Sequence, residues 1–178
     1  QFARRGSAHH GANRVELRVT GEGSVGAQVA GLYFVPGTAK AANEPLSIDV
    51  AYDRTRLAQD DLATATATVR NHMAKTANMV MIDLGIPPGF DLLSEDLQEM
   101  QARTAGRKGG RLEKFNLTAT QAILYFDAIP AGGTVNVKYR LRAKYPIRAR
   151  TFRSRVYEYY DPSVSAVARP VQLEVQKR

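Results

Sequence analysis

The chain has 178 residues, 44% of them hydrophobic and 24% charged, with a formal net charge of +8 and no cysteine. This is ordinary globular composition, enough for one sizeable core or one core with a small appendage. It holds no run of apolar residues long enough for a membrane helix, and without cysteine it can build neither a disulfide framework nor a thiolate metal site. The basic balance would suit nucleic acid or an anionic membrane, but its distribution argues against both. Lys138, Arg140, Arg142 and Lys144 alternate with Tyr139, Leu141 and Ala143, which is the period of a strand with one solvated face. Nucleic-acid binders interleave aromatics with such charge; here the aromatics fall on the apolar phase.

Residues 1–12, QFARRGSAHHGA, lack the apolar stretch of a signal peptide and read as a tail or linker of a mature chain or of a piece of a longer one. Val15, Leu17 and Val19 alternate with polar residues, GEGS follows as a turn, and Val25–Val35 runs to Pro36-Gly37. These predict a β-hairpin over 13–37, which needs a body to dock on. TAKAANE, residues 38–44, reads as a linker.

From residue 45 to 178 a single β-rich domain is expected. Leu46, Ile48, Val50 and Tyr52 alternate with polar residues, and 53–61, DRTRLAQDD, reads as charged loop. Ala63, Ala65, Ala67 and Val69 alternate with threonines, whose branched Cβ suits a pleated strand. Met79–Leu84 is a continuous apolar run, expected as a strand buried on both sides and stopped by Ile86-Pro87-Pro88-Gly89. One segment departs from period two: Leu93, Leu97 and Met100 sit at helical spacing. Ser94 as N-cap, Glu95 and Asp96 in the first turn and Gly106 as the stop predict a short amphipathic helix over about 94–105. GRKGGR, residues 106–111, follows as a flexible basic loop. Strands resume at 112–118, 122–126, 134–144, 156–160 and 171–175. Many short strands with turn signals and one helix predict an all-β fold, an antiparallel immunoglobulin-like or macroglobulin-like β-sandwich with one short amphipathic α-helix.

No catalytic constellation assembles. His9 and His10 lie in the tail and His72 stands alone in an expected loop, and no metalloprotease, nucleophile-elbow or phosphate-loop motif occurs. GEGSVG joins strand to strand, the wrong context for binding phosphate. Asp60-Asp61 and Glu95-Asp96 are adjacent pairs that do not aim at one substrate. Asp83 interrupts an apolar strand and is expected to be hydrogen-bonded there rather than to hold calcium. Asn116-Leu117-Thr118 matches a glycosylation sequon, but within an expected strand. In VYEYYDP, Tyr157 and Tyr159 share one face and Tyr160 takes the other, and at least two of them are expected in the core. No enzyme activity, cofactor, metal or small-molecule substrate is expected.

Several of these segments, in order, resemble the C-terminal end of the alpha-macroglobulins, over residues 13–176. VTGEGSVGAQVAGLYFVP is similar to the closing strands of the CUB-like domain. LSIDVAYD, NMVMIDLGIPPGF, DLLSEDLQEM, AILYFD and VYEYYDP resemble the receptor-binding domain. The resemblance implies a β-sandwich with an exposed helix at the end of a large protease trap, whose bait region and thioester lie outside these residues. Vertebrate members carry two lysines on the helix for a lipoprotein-receptor partner; Ser94 and Gln98 stand in their places, beside the acidic Glu95, Asp96 and Glu99. Ser24 replaces the cysteine of the vertebrate GEG turn. Both departures point to a bacterial homologue, exported to the periplasm or cell surface, with membrane association only through the parent chain.

The expected partners are other domains of the parent chain, with a protein receptor or a trapped protease as further possibilities. The expected contact surface is Ser94, Glu95, Gln98, Glu99 and Arg103 on the helix, with Arg107, Lys108 and Arg111 on the loop. The alternative is a free-standing immunoglobulin-like adhesion or carbohydrate-binding module, which would need an exposed aromatic platform or a calcium site.

Overall fold

Residues of alternating polarity pair into strands because only that period keeps one row of side chains dry. The computed structural model describes residues 44–177 together with 20–22 and 26. The hairpin expected over 13–37 and the tail with His9 and His10 therefore lie outside the described residues, apart from isolated turn positions. Two compact units divide the chain, Gln1–Thr38 and Ala39–Arg178, and the second is described below.

Its strands are β1 (Leu46–Tyr52), β2 (Arg56–Ala58), β3 (Leu62–Asn71), β4 (Ala77–Gly85) and β5 (Phe90–Leu92). The helix α1 (Ser94–Thr104) follows. After it come β6 (Leu112–Leu117), β7 (Gln121–Ile129), β8 (Thr134–Ala143), β9 (Ile147–Arg150), β10 (Arg155–Glu158), β11 (Ser165–Val167) and β12 (Gln172–Gln176). One sheet has the order β1-β3-β8-β5 and the facing sheet β11-β10-β4-β7-β6. A small third sheet, β2-β12-β9, contains a parallel pair, β2 with β12. The fold is the expected antiparallel β-sandwich with one short helix, plus this third sheet.

The two main sheets close over a shared apolar layer. Ala63, Ala65, Ala67 and Val69 of β3 and Val137, Tyr139 and Leu141 of β8 are inward from one side, all but fully buried. Val80, Ile82, Leu84, Leu124, Phe126 and Val156 meet them from the other. Tyr139 stands opposite Ala65, so the largest buried ring sits beside one of the smallest side chains.

Several expectations are corrected. Residues 53–61 are not all loop: β2 lies within them, because Leu57 buries its side chain while Arg56–Ala58 pair with β12. β5, β9 and β11, of three or four residues each, are too short to show a period and were not expected. The tyrosine strand ends at Glu158, and its buried phase is Val156 and Glu158, not the tyrosines. A carboxylate is tolerated there because Glu158 accepts the Asn78 N–H at 3.0 Å.

The helix begins with Leu93 as N-cap, one residue before the expected Ser94, and no side chain caps it. Leu93 is still bound to the sheet, donating its N–H to the Arg140 carbonyl at 3.0 Å, so helical geometry starts only beyond it. Leu97, Met100 and Thr104 are the buried positions, in keeping with the expected face. At the other end Ala105 already leaves the helix, and Gly106 follows with φ 77°.

Candidate interaction surfaces

Where β5 stops, the edge of β8 would be open, and α1 fills the gap. Asp96 accepts the Arg140 backbone N–H at 2.8 Å and faces the Arg140 guanidinium in two directions, at 2.7 and 3.0 Å. One carboxylate thereby satisfies an edge donor and neutralises the adjacent cation. The hydrogen bonds from Arg140 hold the Asp96 carboxyl below its ordinary range. Because the folded-state value is depressed, the stabilisation is present above the unfolded value and is lost as pH falls through the folded one. Asp96→Asn should therefore lower the melting temperature at neutral pH by a few degrees. The difference from the parent chain should vanish in strong acid, which thermal melts across that range would reveal.

The expected contact residues divide by environment. Glu95, Gln98, Glu99 and Arg103 are exposed along α1, while Ser94 is half-buried. Arg107 and Lys108 are exposed on the following loop, and half-buried Arg111 is ion-paired with Glu113. The loop is not free-running: Asp127 accepts the N–H groups of Gly109 (3.1 Å) and Arg111 (2.9 Å). Gly109 and Gly110 adopt φ 82° and 73°, backbone that side-chain-bearing residues resist. The structure thus presents Arg107 and Lys108 on an anchored turn, and Asp96 leaves the acidic helix face for Arg140.

A second surface lies on the outer face of β4, β7 and β10. The β4–β7 register runs unbroken from Asn78 opposite Ala128 to Val80 opposite Phe126, and Met79 between them takes φ 48°. Its carbonyl accepts the Tyr159 N–H at 2.9 Å. Met79 and Tyr159 border an open groove of about 490 Å³, whose floor includes Met81, Tyr125, Glu113 and Lys114. Tyr159 is 52% exposed and Tyr160 79%, their rings edge-to-face at 5.1 Å. Register places Tyr157, Met81 and Tyr125 in one row across three strands. A cation lies over each outer ring, Arg155 at 4.1 Å from Tyr157 and Lys114 at 4.3 Å from Tyr125.

At least two of the three C-terminal tyrosines are expected in the core, but Tyr157 is half-buried and the other two lie outside. Val156 was the missed signal. Once a β-branched residue beside the apolar β4 takes the inner phase, period two sends Tyr157 and Tyr159 outward.

The other polar candidates have structural partners. Gln121 donates to Asp83 at 2.9 Å, and burial pushes the Asp83 carboxyl upward against the pull of Arg155. His72 lies 2.8 Å from the Ser47 hydroxyl. Asp61 accepts the Ala58 N–H at 2.9 Å, closing a turn whose neighbour Asp60 takes φ 72°. Asn116 is exposed on the edge strand β6. Among the described residues no group of three histidines or carboxylates could hold a metal, and no helix is long and apolar enough to cross a membrane.

Two packed antiparallel sheets with a helix seated in one open edge make a β-sandwich domain. The family model of the A-macroglobulin receptor binding domain matches residues 75–169, more than half of the chain, and the chain belongs to that family. No curated protein sequence matches significantly. The fold is similar to native alpha-2-macroglobulin of Escherichia coli, spanning domain MG7 to the C-terminus, with TM-score 0.63, 16% identity and coverage of 76% of this chain and 24% of that one. It is similar to Salmonella alpha-2-macroglobulin reacted with methylamine, with TM-score 0.63, 15% identity and coverage of 79% and 10%. It is also similar to trypsin-activated alpha-2-macroglobulin of Escherichia coli, with TM-score 0.61, 15% identity and coverage of 76% and 10%. The chain spans between a tenth and a quarter of these structures.

Proposed function

We propose that this chain is the non-catalytic, C-terminal docking domain of a bacterial protease trap, exported with its parent polypeptide, and that the groove beside Tyr159 is its main contact surface. Family membership and the resemblance to alpha-2-macroglobulins, one of them described as activated by trypsin, support the first part. The observation that carries the second is that Met79 and Tyr159 stand exposed along one groove. Period two places Met79 on the outer phase of β4, opposite to buried Val80 and Ile82, and a non-glycine residue held at positive φ there is an unfavourable conformation. Aromatic and methionine side chains are the types enriched in the centres of protein interfaces. The helix and loop, with Gln98, Glu99, Arg103, Arg107 and Lys108, form a polar rim contact in this account rather than the anchor.

A carbohydrate platform fits less well. Sugar stacking uses accessible flat ring faces, and Tyr159 and Tyr160 meet edge-to-face at 87°, so one ring's edge covers a face of the other and the two share no common plane. The docking role is tested by supplying the chain in trans to the remainder of its parent polypeptide. Met79→Ala with Tyr159→Ala should weaken association at least about tenfold (about 1.4 kcal/mol) while leaving the melting temperature unchanged. Gln98→Ala with Arg107→Ala should have less effect. Equal loss from both pairs, or loss only from the helix pair, overturns the assignment to the groove.

A further inference from the structure

β9 forms an edge of the third sheet, pairing with β12 and, among the described residues, with no other strand. The register fixes which backbone groups it leaves open. The Thr151 N–H donates to the Val171 carbonyl at 2.8 Å, and Ala149 and Ile147 stand opposite Leu173 and Val175 in the same phase. Bonded and non-bonded positions alternate along an antiparallel pair. Ile147, Ala149 and Thr151 therefore turn their backbone groups to β12, and Arg148 and Arg150 turn theirs away from it.

The same two residues carry the charge. Arg148 and Arg150 are exposed while Ala149 is buried, so both guanidinium stems leave one face of β9, roughly 7 Å apart along the strand. No acidic residue occurs from Ile147 to Tyr157, a stretch that also contains Arg153 and Arg155. The Ala168 N–H bonds to the Ser154 carbonyl at 2.9 Å, bringing the exposed Arg169 to the same end of the sheet. Glu174 opposite Arg148 is the acidic residue across the ladder, and it also faces Arg56 of β2. Beyond β9, Phe152 is 45% exposed.

We propose that the β9 edge accepts an extended acidic peptide from a protein partner as an added strand. Acids at alternate positions of that peptide would lie beside Arg148 and Arg150, while its backbone completes their unpaired hydrogen bonds. Backbone pairing supplies affinity in this mode and alternate side chains supply selectivity. A surface that merely attracted negative charge would read total charge and ignore spacing. This surface is on a different sheet from the Tyr159 groove and stands independently of it.

The test uses the 178-residue chain and a fluorescent synthetic peptide alternating glutamate with valine, followed by anisotropy at physiological salt. It should bind about tenfold more tightly than a peptide of the same composition with its glutamates contiguous. N-methylation of the peptide amides that face β9 should abolish binding, as should Arg148→Glu with Arg150→Glu. The milder Arg148→Gln with Arg150→Gln, whose melt should match the parent chain, should weaken binding. Equal binding of the two peptides, retention after N-methylation, or ready displacement by a sulfated polysaccharide of equal charge would overturn strand addition.

Discussion

Asn71→Asp should destabilise the domain more than Asn71→Ala at neutral pH, although aspartate is nearly the same shape as asparagine. Asn71 is fully buried at the end of β3. Its amide nitrogen donates to the carbonyls of Lys75 (2.8 Å), Ile129 (3.0 Å) and Pro130 (3.1 Å), and its oxygen accepts the Met73 N–H at 2.9 Å. This one side chain therefore ties the β3–β4 connection to the β7–β8 turn. Alanine removes this partner from the Lys75 and Ile129 carbonyls and the Met73 N–H, while the Pro130 carbonyl keeps the Gly133 N–H at 2.9 Å, and at about 1 kcal/mol for each of those three groups the loss is about 3 kcal/mol. Aspartate instead points a carboxylate at three carbonyl oxygens. An unpaired buried charge costs more than an unpaired dipole, so its loss should reach about 4 kcal/mol or more. Protonation removes that charge and restores a donor. The aspartate variant has a raised folded-state pKa, so its stability should be recovered below the unfolded value and lost as pH rises. Urea unfolding at pH 7 and again in mild acid measures both effects, and an aspartate variant as stable as the alanine one at pH 7 would contradict this description of the network.

Gly85→Ala should be the most damaging small substitution in β4, at about 3 kcal/mol. A Cβ placed there would meet the Phe152 carbonyl oxygen at 2.6 Å and the Phe152 carbonyl carbon and Cβ at 2.7 Å. Two of those three atoms are backbone, so no rotamer change relieves the contact and β4 must move away from the 151–154 segment. The separation would also break the bond from the Gly85 N–H to the Ser154 hydroxyl, 3.0 Å long. Ser154→Ala removes that bond alone and should cost only about 1 kcal/mol. A Gly85→Ala variant that melts close to Ser154→Ala would mean that the 151–154 crossing yields more easily than its packing implies.

What the sequence made legible is what periodicity encodes. The long strands β1, β3, β7 and β8 and the helix face of Leu97 and Met100 repeat often enough to identify themselves, and they alone predict a sandwich with one helix. β5, β9 and β11 could not be read because three or four residues span less than two periods. The helix start was displaced because Leu93 is claimed by Arg140 across the sheet, a tertiary contact that no local capping rule contains. The groove was missed for a related reason. Tyrosine is apolar enough to be placed in a core, and only the phase set by Val156 turns Tyr159 outward. Of the helix and loop residues expected as a contact surface, Ser94 and Arg111 are half-buried and the others exposed.

The Tyr159 groove as a contact surface is open to a direct test, because the chain has no cysteine. A Tyr159→Cys variant and a Gln98→Cys variant can each be labelled with maleimide, first in the free chain and then within the parent polypeptide, with labelling rates read at each site by mass spectrometry. The account predicts that the cysteine at position 159 reacts quickly in the free chain and at least about tenfold more slowly in the parent polypeptide, while the cysteine at position 98 changes little. A cysteine at position 159 that reacts equally fast in both would mean that nothing covers the groove.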